Sequence, residues 1–206
     1  KTSLLDRSVR SGEWKWSVGY EARNLTGITV GLAGCGNIAR YLIRFLKPFR
    51  CRVIAFDPFL DAATIAARGA EKVSFNELLE QSDVISVHCH LTDETRHMFD
   101  AAAFRRMKKN SFIVNVSRGA LIDTYALADA IRIGDLQGAG LDTHESEPLA
   151  LDHPLRTIDS VILTPHSAHY SSKAFETLRM HMVDQAIAVL EGTMPQFLFN
   201  REQLGL

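Results

Sequence analysis

The sequence predicts an α/β protein built on a doubly wound parallel sheet, and three observations carry that expectation. Short apolar runs rich in β-branched residues alternate with helix-period segments from residue 28 onward. These runs are near-continuous rather than alternating in polarity, as happens when helices cover both faces of a sheet. The connections are short, so the elements string together as repeated βα units.

Taken in order, residues 1–26 hold Trp14 and Trp16 among Arg10, Glu13 and Lys15 without strand periodicity, and read as an N-terminal arm. Strands are predicted at residues 28–32, 52–56, 84–88, 112–116, 139–142 and 161–164. Helices are predicted between them at 37–46, 62–68, 75–80, 101–107 and 124–133. Asp61 and Asp123 stand where side chains cap helix starts, and Gly69 and Gly134 where helices stop. Residues 172–192 carry the longest helical pattern, with Phe175, Leu178, Met182, Ala186 and Leu190 at steps of three or four. Gly192 then ends the helix and a tail runs to Leu206. The expected division is therefore an arm (1–26), a nucleotide-binding core (27–170) and a C-terminal helix with its tail (171–206).

Composition narrows the partners. A chain of 206 residues that is 46% hydrophobic and 23% charged can bury one core. Its formal net charge of −1 offers no field that would attract nucleic acid or an acidic membrane surface. The basic run from Arg105 to Lys109 reads as a solvated helix end. Cys35, Cys51 and Cys89 are odd in number and sit inside apolar runs, which fits reduced thiols in a cytoplasmic protein. No apolar stretch reaches the ~20 residues that span a bilayer, and no signal-peptide pattern opens the chain.

The strongest local signal is Gly31-Leu-Ala-Gly34-Cys-Gly36-Asn37-Ile38-Ala39, which ends a predicted strand and opens a helix. Gly34 allows a tight turn, and Gly36 lets the backbone approach a pyrophosphate. Ala39 takes the small position where helix meets strand. The first helical residues, Asn37 and Ile38, offer N–H groups and the positive end of the helix dipole to the phosphates. Asp57 ends the next strand, 18 residues beyond Ala39. A carboxylate there accepts from adenosine ribose hydroxyls and repels a 2′-phosphate. With Pro58 and Phe59 following and no Arg beside them, NAD is expected over NADP. Together these features predict a dinucleotide-binding, Rossmann-type domain.

Three further segments begin at or just past predicted strand ends: Asn115-Val-Ser117-Arg118-Gly119, Asp142-Thr-His-Glu145-Ser-Glu147-Pro148, and Thr164-Pro165-His166-Ser-Ala-His169. In an open α/β sheet that edge binds ligands. An Arg, a Glu and a His converging there suit carbonyl reduction. A guanidinium grips a carboxylate bidentately, an imidazole moves the proton, and a carboxylate orients the imidazole. Glu145 competes with Glu147 for that last part, and the five-residue step from Asp142 favours Glu147.

In their order and spacing these motifs resemble the D-isomer-specific 2-hydroxyacid dehydrogenase family, across essentially the whole chain. Phe56–Leu60, Val87–Cys89, His144–Pro148 and Thr164–Ala168 are most similar to its C-terminal-binding-protein subgroup, which includes NAD-sensing corepressors. The resemblance implies that Arg118 binds the substrate carboxylate, that His166 is the acid/base, and that Glu147 supports His166. It implies that Asp142 meets the nicotinamide carboxamide. Residues from Cys89 through His90 to Thr95, with Val116, Ser117 and Arg118, would line the nicotinamide and ribose side of the cofactor. The implied activity is hydride transfer between NAD and a 2-oxo/D-2-hydroxy acid, with an NAD-controlled binding module as the alternative.

Three departures accompany the resemblance. His90 stands where most of the family has Pro. His169, expected beside the cofactor site with His166, stands where the corepressors carry Trp. The family also places a substrate domain before the cofactor domain, whereas only residues 1–26 precede the first strand here, so the chain is expected to lack most of it. The resemblance further implies a homodimer formed through the cofactor domain, with Trp14 and Trp16 as anchors in the arm. No metal is expected: His88 and His90 share a strand face, but Cys89 points the other way and no acidic partner is suitably spaced.

Overall fold

The computed structural model describes residues 1–14, 19, 22–196, 198, 200, 201, 204 and 205, which fall in two units, Lys1–His166 and Ser167–Leu206. In the first unit, seven strands pair in parallel: β1 (Thr29–Ala33), β2 (Arg52–Phe56), β3 (Glu71–Lys72), β4 (Val84–Val87), β5 (Ser111–Asn115), β6 (Leu136–Leu141) and β7 (Val161–Leu163). Their order across the sheet is β3-β2-β1-β4-β5-β6-β7. The chain starts at β1, winds outward to β3, then returns to lay β4 on the other side of β1. That reversal opens a crevice at the carboxyl ends of β1 and β4, where Ala33 and Val87 lead into the loops that matter below.

The helices of this unit are α1 (Thr2–Arg10), α2 (Asn37–Leu46), α3 (Ala62–Arg68), α4 (Phe75–Gln81), α5 (Ala101–Arg106) and α6 (Thr124–Arg132). Ala39, Ile43 and Leu46 of α2 and Ile65 of α3 pack with Val30, Leu32 and Ala55 on one sheet face. Leu78 and Leu79 of α4, Phe104 of α5 and Leu127 of α6 pack with Ala33, Ile54 and Ile113 on the other. Neighbours such as Leu32 and Ala33, or Ile54 and Ala55, thus serve opposite cores. This is why the strand sequences are apolar without alternation. Each fully buried Leu or Ile contributes about 1.5–3 kcal/mol of transfer free energy.

Side chains close most helix starts. Asp61, Asp100 and Asp123 accept from backbone N–H groups at the heads of α3, α5 and α6. Ser74 and Glu77 form a reciprocal capping box on α4. Helix α2 is different: Gly36 occupies its cap position and no side chain accepts from its first turn.

Several elements depart from expectation. Residues 2–10 of the arm are helical, with Leu4 and Ser8 buried. A two-residue edge strand, Glu71–Lys72, was not predicted, and β6 starts at Leu136, three residues early. Short 3-10 turns at Lys47–Phe49, Gly119–Leu121 and Pro154–Thr157 were also unforeseen. Trp14 is 89% exposed; Trp16 lies outside the described residues.

The second unit holds helix α7 (Ser172–Leu190), capped by Ser171 Oγ, which accepts from the Ala174 N–H. The rings of His169 and Tyr170 meet Phe175 edge-on at 5.8 and 5.5 Å. No residue of α7 is buried. Among the described residues no helix is long and apolar enough to cross a membrane.

Candidate active site

The glycine turn sits at the mouth of the β1/β4 crevice. Gly34 adopts φ +93°, and a Cβ there would stand 2.8 Å from the Cys89 amide nitrogen, so both conformation and space demand glycine. A Cβ at Gly36 would meet nothing within 4 Å. The open space at Gly36 and the uncapped first turn of α2, where Asn37 and Ile38 begin the helix, leave room and N–H donors for a pyrophosphate. Asp57 is 9% exposed and already oriented: Oδ2 accepts from the Cys35 N–H at 2.9 Å and Oδ1 from the Phe59 N–H at 3.0 Å. A pocket of about 440 Å³ opens beside this turn, with Gly34, Gly36, Asp57, Cys89, His90 and Thr95 on its wall. These residues, far apart in sequence, therefore share one cavity beside the glycine turn.

Two groups on that wall are uncharged near neutrality. Burial pushes His88 down to about 4, and its Nε2 lies 2.9 Å from Ser86 Oγ. Burial likewise pushes the Cys89 thiol up to about 11, so it is a wall rather than a nucleophile.

A second cleft, about 360 Å³, adjoins the same loop and carries Arg118, His144, Glu145, Glu147 and His166. Residues 89–98 separate the two spaces, with His90 and Thr95 on the pocket side and Leu91 and Arg96 on the cleft side. The buried Asn115 shapes the turn that presents Arg118: its Oδ1 accepts from the Ser117 N–H at 3.0 Å and its Nδ2 donates to the Arg118 carbonyl at 2.8 Å. Ser117 Oγ donates to the Cys89 carbonyl at 2.6 Å, tying that turn to the pocket wall. Val116 is partly exposed between them.

Glu147 Oε2 lies 2.9 Å from His166 Nδ1. The His144 N–H and then His166 hold the Glu147 carboxyl below the usual carboxylate range. Glu145 is engaged elsewhere, with Arg96 at 3.1 Å and the His97 ring at 3.1 Å. His166 itself has φ +51°, an uncommon conformation for a side-chain-bearing residue, and its N–H donates to the Asp142 carbonyl at 2.7 Å. Asp142 is buried and its Oδ1 accepts from Thr164 Oγ1 at 2.5 Å. Arg118, Asp142, Glu147 and His166 are thus gathered at the ends of β5, β6 and β7. His169 belongs to the second unit and is described only there.

Sequence reasoning missed two members of the neighbourhood. Arg68, at the end of α3, donates to the Cys35 carbonyl inside the glycine turn. It is 11 residues beyond Asp57, so no local pattern announces it. His144, treated only as part of a motif, reaches the Thr164 carbonyl through Nε2 at 2.9 Å.

A glycine turn that opens helix α2 from a parallel sheet, with Asp57 at the end of the next strand, defines a dinucleotide-binding domain. Comparison with known proteins agrees. Residues 1–168 match the family described as D-isomer specific 2-hydroxyacid dehydrogenase, NAD binding domain. The chain is 37% identical to a glyoxylate reductase of Korarchaeum cryptofilum over 96% of its own length and 60% of that protein. It is 35% identical to a D-3-phosphoglycerate dehydrogenase of Methanocaldococcus jannaschii over 96% of its length and 38% of that protein. The crystal structure of a glyoxylate reductase from Paecilomyes thermophila superposes with a TM-score of 0.86 at 30% identity, covering 94% of this chain and 58% of that one. This chain belongs to the D-isomer specific 2-hydroxyacid dehydrogenase family and carries its NAD-binding domain. It spans about three-fifths of the glyoxylate reductases it matches.

Proposed function

We propose that this domain serves an NAD-dependent oxidoreductase that interconverts a 2-oxo acid and a D-2-hydroxy acid. The observation that carries the proposal is the Glu147–His166 contact facing Arg118 in a cleft that shares a wall with the glycine-turn pocket. Arg118 grips the substrate carboxylate and aligns the 2-oxo group. With Nδ1 held by Glu147, the imidazole of His166 turns Nε2 to the carbonyl oxygen and gives it a proton in reduction, taking one back in oxidation. The ionised Glu147 steadies the charged imidazole. Asp142, at the end of β6, is the residue that would meet the nicotinamide carboxamide in this reading. NADH, which the glycine turn and Asp57 would hold, would supply the hydride for the carbonyl carbon, while His166 gives the carbonyl oxygen its proton.

Relatives named glyoxylate reductase support a small 2-oxo acid. The narrower likeness to NAD-sensing corepressors rests on four short segments, Phe56–Leu60, Val87–Cys89, His144–Pro148 and Thr164–Ala168. A binding module has no use for an Arg, Glu and His arranged around a proton-transfer path. Steady-state NADH oxidation by the full-length protein with glyoxylate, hydroxypyruvate, pyruvate and longer 2-oxo acids tests the proposal. Turnover of at least one to the D product is expected, and no turnover of aldehydes lacking the carboxylate. Silence with every acid, or an L product, contradicts it.

A further inference from the structure

We infer that His144 is a positioning residue that sets Glu147, His166 and Arg118 against one another. The inference rests on the reading of Glu147 and His166 as the acid–base pair.

Three contacts meet at this one residue. The His144 backbone N–H donates to Glu147 Oε1 at 3.0 Å, and that donation is the leading cause of the depressed Glu147 carboxyl. The ring Nε2 lies 2.9 Å from the Thr164 carbonyl, two residues before His166. A carbonyl only accepts, so Nε2 carries the proton and donates. On the third side, a Cβ on Gly119 would stand 2.0 Å from the His144 carbonyl carbon. The turn that presents Arg118 therefore rests directly on the residue-144 peptide. The residue-144 peptide thus meets Glu147 and the Arg118 turn, while the ring adds the one side-chain contact, to the loop that bears His166.

The ring chemistry argues that this is more than packing. His144 is only 9% exposed, and its Nδ1 is buried with no hydrogen-bond partner among the described residues. An unpaired buried acceptor costs about 1–3 kcal/mol, a penalty that an apolar side chain of similar size avoids. Filling space alone would favour Phe or Leu. What a histidine adds here is the Nε2 donor that ties the end of β7 to the loop after β6.

The test compares His144→Phe and His144→Gln in the full-length protein. Phe keeps the bulk but loses the donor, whereas the Gln side-chain amide can present a donor at roughly the reach of Nε2. His144→Phe should lower kcat about tenfold or more, within the ~10²-fold cost of misplacing a catalytic group by 1 Å, while the Kd for NADH stays unchanged. His144→Gln should restore most of kcat. Wild-type kcat in the Phe variant overturns the inference. So does an equal loss in both variants that tracks thermal stability, since that is a structural effect. If His166→Ala keeps wild-type activity, the acid–base reading itself fails and the His144 inference falls with it. A dead His166→Ala with an unaffected His144→Phe removes the His144 inference alone.

Discussion

Asp57 is held by two backbone N–H groups before any ligand arrives, and its expected role is to accept from the adenosine ribose hydroxyls. NADH should bind about tenfold or more tighter than NADPH, a difference of ~1.4 kcal/mol. Asp57→Ala should narrow that gap, which calorimetric titration of both cofactors reads directly. Equal affinities in the wild type would remove Asp57 from the ribose. Glu147 makes a second prediction. Glu147→Gln should lower kcat with the Kd for NADH unchanged, because the imidazole of His166 loses the carboxylate that orients it. Wild-type kcat in this variant means that Glu147 is not the partner. Much of this site was legible because each motif sits beside its own strand end. The spacing also favoured Glu147 over Glu145, and the two carboxylates do have different partners. Arg68 and His144 were not legible, because what they do depends on which distant carbonyl they reach.

Helix starts show how local chemistry set the elements. Asp123 accepts from the Tyr125 and Ala126 N–H groups at the head of α6, whose buried face includes Leu127 and Ala128. Asp123→Ala should cost about 1 kcal/mol in urea unfolding, the usual worth of a cap. A loss well outside a few tenths of that figure would mean the carboxylate does more than cap. Strands and helices with long apolar patterns were readable to within a residue or two, because burial on both sheet faces leaves an unbroken signal. Glu71–Lys72 was not readable: two exposed charged residues carry no periodicity. β6 starts three residues before the predicted 139–142, and Gly138 lies in that added stretch. In the fold it is a close approach, where a Cβ would stand 2.3 Å from the Ser160 carbonyl oxygen. Helix α1 was hidden for a different reason, since only Leu4 and Ser8 along it are buried.

At the scale of the molecule, the switch between β1 and β4 places the glycine-turn pocket, and the ends of β5, β6 and β7 place the cleft beside it. Trp14 stands 89% exposed in the arm, a large apolar ring with little of its own unit to cover it. We expect the arm to meet a second copy, because a two-fold contact uses the same patch twice. Light scattering should then give twice the mass of one chain, and a single-chain mass that persists at high concentration would discard the dimer. The central claim, proton transfer by His166 on an NAD-dependent path, is tested most directly by one comparison. NADH oxidation with the best 2-oxo acid is measured for wild type and His166→Ala, with NADH affinity titrated in parallel. The account predicts equal NADH affinity and a kcat lower in the variant by about 10²–10⁴-fold. Equal turnover in the two proteins would contradict it.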